Sequence, residues 1–99
     1  MKVEYTELWS KESKVQFNKI VRYLRKEWTE KEVNNFVNHL KDFEHIVVKF
    51  PEIYAEADKK KELRRAVLSK HNSVIYSIDK KANIIRVYTI FDNRPKPAN

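Results

Sequence analysis

Residues 73–91, SVIYSIDKKANIIRVYTIF, decide how the rest of the chain is read. In the first half Val74, Tyr76 and Ile78 recur at every second position. That is the period of a strand with one buried face, and a strand is expected over Ser73–Asp79. In the second half Ile85, Val87 and Phe91 oppose Ile84, Arg86, Tyr88 and Ile90, which predicts a strand over Ile84–Phe91. Both of its faces are apolar, so it belongs in the middle of a sheet or under a partner. Lys80-Lys81-Ala82-Asn83 forms the turn between the two. The chain has no Gly, and Asn83 is the turn residue best able to adopt left-handed backbone geometry.

Moving toward the N-terminus, Leu63–Leu68 is a further strand, turned at Lys70-His71-Asn72 with Asn72 in the left-handed role. Residues 51–62 are a polar connection, acidic at Glu52, Glu56 and Asp58 and basic at Lys59, Lys60 and Lys61. Before it the period changes to that of helices. Phe17, Ile20, Val21, Leu24 and Trp28 share one helical face, and Val33, Phe36, Val37, Leu40, Phe43 and Val47 share another. Ser10 is placed to cap the first helix. Thr29 with Glu32 has the spacing of a capping box for the second. Phe50-Pro51 closes it, because Pro disfavours helical geometry in the residue before it. Almost nothing separates the two helices, so they form a hairpin. Val3–Trp9 is a short first strand. The order is β-α-α-β-β-β, an α+β fold in which a helical hairpin packs on a small antiparallel sheet. Residues 1–99 form one domain, with a flexible tail over 92–99 where Pro95 and Pro97 cannot continue a sheet.

The composition removes several chemistries. Without Gly there is no P-loop and no dinucleotide-binding turn. Without Cys there is no disulfide, thiolate metal site or thiol nucleophile. His39, His45 and His71 lack metal-ligand spacing, and no metal or other cofactor is expected. There is no apolar run long enough to span a membrane and no signal peptide, so a cytoplasmic location is expected. The formal charge is +7. It divides unevenly, −1 over residues 1–58 and +8 over residues 59–99. The strand-rich half is therefore the part suited to an anionic partner.

With these elements in place, the chain resembles the RelE/ParE family of bacterial toxins over nearly its whole length. The resemblance rests on Tyr23-Leu24 with Trp28, on Phe50-Pro51, and on Leu63-Arg64-Arg65, Val74-Ile75-Tyr76, Ile84–Tyr88 and Asp92-Asn93-Arg94. It implies a toxin–antitoxin module, a cognate antitoxin partner and growth inhibition. The family has two modes of action, binding DNA gyrase (the ParE-like, plasmid-stabilisation type) and cutting mRNA on the ribosome without a metal. For the nuclease, Arg64 and Arg94 fit family positions, whereas Ala66 and Ser73 stand where basic residues are expected. A further Tyr of that set has no counterpart. Arg64, His71 and Arg94 are the candidate catalytic residues. Arg64, Arg65, Lys70 and Arg94 are the candidate target or nucleic-acid contacts. Ile84, Arg86, Tyr88 and Ile90 are the candidate antitoxin face. The Trp28 helix end and the short Arg94-Pro95 tail lean toward the gyrase-binding type, and a degenerate, non-toxic binding module is the third reading.

Overall fold

The computed structural model describes residues 4–94. Its elements are β1 (Thr6–Trp9), α1 (Lys11–Glu27), α2 (Glu30–Val47), β2 (Ala55–Asp58), β3 (Leu63–Val67), β4 (Asn72–Asp79) and β5 (Ile84–Asp92). The five strands make one sheet in the order β1-β5-β4-β3-β2. The fold class is α+β, as expected.

Both helices start on the expected caps. The Ser10 side chain accepts from the Ser13 N–H at 3.0 Å, and the Thr29 side chain accepts from the Glu32 N–H at 3.3 Å. Each satisfies an amide that has no partner within the helix. The helices bury Ile20, Leu24, Val33, Phe36, Leu40, Phe43 and Val47 against Ala66, Val74, Tyr76, Ile85, Val87 and Ile90 of the sheet. Phe43 and Tyr76 meet edge-on at 5.6 Å between ring centres, and the buried Tyr76 hydroxyl donates to the Pro51 carbonyl at 2.6 Å. Trp28, on the apolar face expected for α1, packs partly buried against the margin of this core.

Two expectations about the sheet need correction. It is mixed rather than antiparallel, because β1 pairs in parallel with β5, Thr6 opposite Ile84 through Trp9 opposite Val87. It also has a strand within the supposed connection. Ala55–Asp58 pairs antiparallel with β3 at the sheet edge. Ala-Glu-Ala-Asp lacks the β-branched and aromatic residues that mark strands, so its propensity is silent. Its place is set from below by Arg64, whose Nη1 donates to the Glu52 carbonyl at 3.3 Å and the Tyr54 carbonyl at 2.7 Å.

A bulge accounts for a third difference. Ile75 lies opposite Thr89, but Tyr76 lies opposite Val87, so Tyr88 is the extra residue on β5. Alternation reverses beyond it. Ile90 turns into the core with 2% of its surface exposed, while Phe91 faces outward with 46% exposed. The expected phase had them the other way round.

The turns also differ in part. Asn83 does take left-handed geometry, with φ of 57°. Asn72 does not. It is buried as the first residue of β4, and its side chain donates to Asp92 at 2.8 Å. The Ser69 hydroxyl makes that turn instead, accepting from the N–H groups of His71 and Asn72. Of the expected tail, Asp92 ends β5 and Asn93 N–H donates to the His71 carbonyl at 2.9 Å. Pro95 and Pro97, like Val3, lie outside the described residues.

The second left-handed position is Glu62, with φ of 56° in the β2–β3 turn. A side chain with a Cβ costs about 1 kcal/mol there. Glu62→Gly is expected to raise stability by up to ~1 kcal/mol, less the added freedom of the unfolded chain. Urea unfolding checks this, and a loss of stability would refute it.

Candidate functional site

The sheet has a face turned away from the helices, and cross-strand pairing shows what occupies it. Leu8 lies opposite Arg86, Arg86 opposite Ser77, and Ser77 opposite Leu63. Further along, Arg65, Ile75 and Thr89 form a row, followed by Val67, Ser73 and Phe91. The bulge leaves Tyr88 on the same side. Leu8, Tyr88, Phe91 and Val67 are all at least 40% exposed.

Its cations are Arg65 and Arg86. Arg65 is exposed, and its Nε donates to the Ser73 hydroxyl at 3.2 Å. Arg86 lies 3.5 Å from Asp79 with 46% of its side chain exposed. The Ala82 N–H and the Arg86 guanidinium hold Asp79 below the ordinary carboxylate range. Tyr88 shares a 3.0 Å hydroxyl contact with Ser77. At one end of this face a groove of about 720 Å³ opens between the β2–β3 and β4–β5 turns. Lys59, Arg64, Lys80, Lys81 and Arg86 line it together with Glu52, Glu56, Glu62 and Asp79. Its charge is nearly balanced, since Lys80 pairs with Glu52 at 2.8 Å and each pushes the other toward its charged form.

The residues proposed for catalysis do not come together. Arg64 sits at the end of the sheet near the β2–β3 turn, on the helix side opposite Tyr76, where two backbone carbonyls hold it. His71 and Arg94 lie at the other end. His71 is half-buried in the β3–β4 turn, beside the exposed Lys70. Arg94 is no free tail cation. Its Nη1 meets Glu32 at 2.8 Å, its guanidinium lies 5.1 Å from the centre of the Trp28 ring, and 5% of its side chain is exposed. The Glu32 carboxylate meant for the capping box is thus used on Arg94. Arg64 and Arg65 do point to opposite faces, and Arg65 is the one on the open face.

Of the expected antitoxin residues, Arg86 and Tyr88 are exposed there and Ile84 is half-buried. Ile90 lies in the core instead, because of the bulge. Leu8, Val67 and Phe91 belong to the face and were not among the expected residues. Cross-strand register identifies them, which a single strand's alternation cannot supply. Among the described residues no group of three or more His, Asp or Glu could hold a metal ion. No helix there is long and apolar enough to cross a membrane.

No family model matches the sequence, and no curated protein does. Solved structures do. A chain of the chromosomal ParDE TA system from P. aeruginosa superposes with a TM-score of 0.73 at 8% identity, over 95% of this chain and 100% of that one. The chain has the RelE/ParE-type toxin fold. The toxin–antitoxin complex RelBE2 from Mycobacterium tuberculosis matches with a TM-score of 0.63 at 11% identity, over 93% of this chain and 94% of that one. The archaeal RelE–RelB complex from Pyrococcus horikoshii OT3 matches with 0.53 at 22% identity, over 94% and 97%.

Two predictions follow from the buried charges. Arg94→Ala leaves Glu32 and Trp28 without their partner, and is expected to lower stability by about 2–3 kcal/mol in urea unfolding. Unchanged stability would show that Arg94 is not a structural anchor. Glu7, on the helix side of β1, is pushed up to about 7 by burial and by Glu44, against the opposing hydrogen bond from the Trp9 indole. The folded state therefore keeps a proton that the unfolded chain releases near its ordinary value of 4.5. The stability linked to it is full below that value and is lost as pH rises through 7. Relative to Glu7→Gln, the wild type is expected to lose melting temperature between pH 5 and pH 8. Parallel melting curves of the two would contradict this.

Proposed function

We propose that this chain is the toxin of a toxin–antitoxin module and acts by binding its target, DNA gyrase, rather than by cutting RNA. The observation that carries this reading is the open sheet face, where Leu8, Tyr88, Phe91 and Val67 surround Arg65 and Arg86. Such a surface suits a protein partner that buries apolar side chains and places carboxylates against two guanidinium groups. The solved structures of similar fold are named as toxin–antitoxin systems, which supports a cognate antitoxin as one such partner.

Metal-free RNA cleavage needs a base for the 2′-hydroxyl, positive charge at the phosphorus and an acid for the leaving oxygen, all within reach of one phosphate. Arg64 and Arg94 lie at opposite ends of the sheet. Each is already engaged, by carbonyls or by Glu32. This arrangement favours the binding mode over the nuclease mode.

Induced expression of the wild type is expected to stop growth, and the purified protein to inhibit gyrase supercoiling. The double variant Arg65→Glu/Arg86→Glu, folded by circular dichroism, is expected to weaken that inhibition about tenfold or more. Unimpaired supercoiling together with new mRNA cuts on translating ribosomes would replace this reading with the ribonuclease one. Unaffected growth would leave a non-toxic binding module.

A further inference from the structure

The sum of −1 over residues 1–58 hides a local excess of positive charge. Helix α1, Lys11–Glu27, carries six cations against two carboxylates. Lys11, Val15, Lys19, Arg22 and Lys26 follow one another at steps of three or four residues. Such steps place them in a single row along the helix. All five are exposed, Val15 to 46%. The other side of the helix gives Ser13, Ile20 and Leu24 to the interior, so the row faces solvent. The helix beneath it is fixed in place, because Ser10 and the Gln16 side chain hydrogen-bond to the β5 backbone.

Among the described residues Lys11, Lys19, Arg22 and Lys26 take part in no ion pair. Arg25, on the flank of the row, does, with Glu30 at 3.2 Å. Glu12 and Glu27 each stand one position off the row, and adjacent positions of a helix do not face each other. Four cations therefore stand in line with no carboxylate among them. A protein interface is built differently, around aromatic and apolar anchors, and is poor in Lys. A single-stranded nucleic acid calls for aromatic platforms on which its bases stack, and the row has none. A duplex backbone calls for cations alone. Lys11 and Lys19 are eight helical positions apart, about 12 Å along the axis. That matches the major groove of B-form DNA, about 12 Å wide, whereas the major groove of an RNA duplex is deep and narrow. Between these two lysines the row holds Val15, short and uncharged.

We propose that the solvent face of α1 docks on the backbone of double-stranded, B-form DNA, with the helix laid across the major groove. Lys11 meets phosphates of one strand, and Lys19, Arg22 and Lys26 meet those of the other. Contacts of this kind position a protein and carry no base selectivity. Affinity comes from displaced counterions, and four contacts correspond to a slope of about −3.6 in log K against log salt. The face is separate from the open sheet face, and the proposal does not rest on the toxin reading.

The test uses the full chain and a short, fluorescently labelled DNA duplex, with anisotropy read from about 50 to about 200 mM salt. The wild type is expected to bind with a slope of about −3 to −4. Lys19→Gln/Lys26→Gln keeps good helix formers at exposed positions. It is expected to make the slope shallower by about 2 and to weaken binding at low salt about tenfold or more. Lys59→Gln/Lys60→Gln removes the same charge from the exposed β2–β3 turn and is expected to leave the slope as it is in the wild type. Four outcomes overturn the proposal: no binding of the duplex, equal losses in the two double variants, an RNA duplex of the same sequence bound as tightly as the DNA, or a poly-glutamate chain bound through Lys19 and Lys26 more tightly than the duplex. Melting temperatures of both variants close to that of the wild type exclude unfolding as the cause of any loss.

Discussion

The backbone of β5 must be hydrogen-bonded along both edges, and much of the fold follows from how that is met. On one edge β4 pairs with it along its whole length. On the other, β1 covers Ile84 to Val87 and then stops. The start of α1 takes over where β1 ends. The Ser10 N–H donates to the Val87 carbonyl at 2.9 Å, and the Ser10 hydroxyl to the Tyr88 carbonyl at 2.9 Å. The Gln16 side chain accepts from the Ile90 N–H at 2.8 Å and from the Thr89 hydroxyl at 2.6 Å. A bare strand edge is a template for unwanted pairing, and here a helix terminus closes it. The same residues fix where α1 begins. The helical hairpin is thereby set over one face of the sheet and the other face is left open.

That division sorts the arginines of residues 59–99. Those on the helix side or at its margin are consumed by the structure, Arg64 in holding the chain that leads into β2 and Arg94 in fastening the end of β5 to the start of α2. Those on the open side, Arg65 and Arg86, keep solvent-facing surface. The +8 of residues 59–99 is thus not one uniform field. Part of it is answered locally by Glu32, Glu52 and Glu56, which lie outside those residues. Besides the exposed Lys59, Lys60, Lys61, Lys70 and Lys81 of the turns, what is left for a partner on the open face is two guanidinium groups set among apolar side chains. Such a surface recognises a folded protein better than a phosphate backbone, which calls for many cations in a row.

The helices were legible in the sequence because their signals are local. An apolar stripe and a capping hydroxyl lie within a few residues of each other, and Ser10 and Thr29 cap where expected. The strands β3 to β5 were legible to within about a residue for the same reason. Ala55–Asp58 was not, because its pairing and the Arg64 clamp are tertiary and its own residues carry no strand preference. The direction of β1 was not legible either, since parallel and antiparallel pairing use the same alternation. The bulge at Tyr88 had the largest effect on the candidate site. Every residue beyond it exchanged faces, which moved Ile90 into the core and Phe91 onto the open surface. Arg94 could not be judged from its position after the last strand, because its burial depends on Glu32, 62 positions away.

The open sheet face and a groove of about 460 Å³ on the helix side, lined by Trp9, Phe17, Val37 and Leu40, meet at β1. Leu8 belongs to the first and Trp9 to the second, and they are neighbours in a strand of four residues. Because successive side chains of a strand point to opposite faces, one edge strand supplies an apolar contact to each surface. The far edge, at β2, offers Ala55, Glu56 and Ala57, small or acidic side chains. The Tyr5 N–H donates to the Val48 carbonyl at 2.9 Å, which ties the entry of β1 to the end of α2. Movement of β1 would thus alter the groove and the sheet face together.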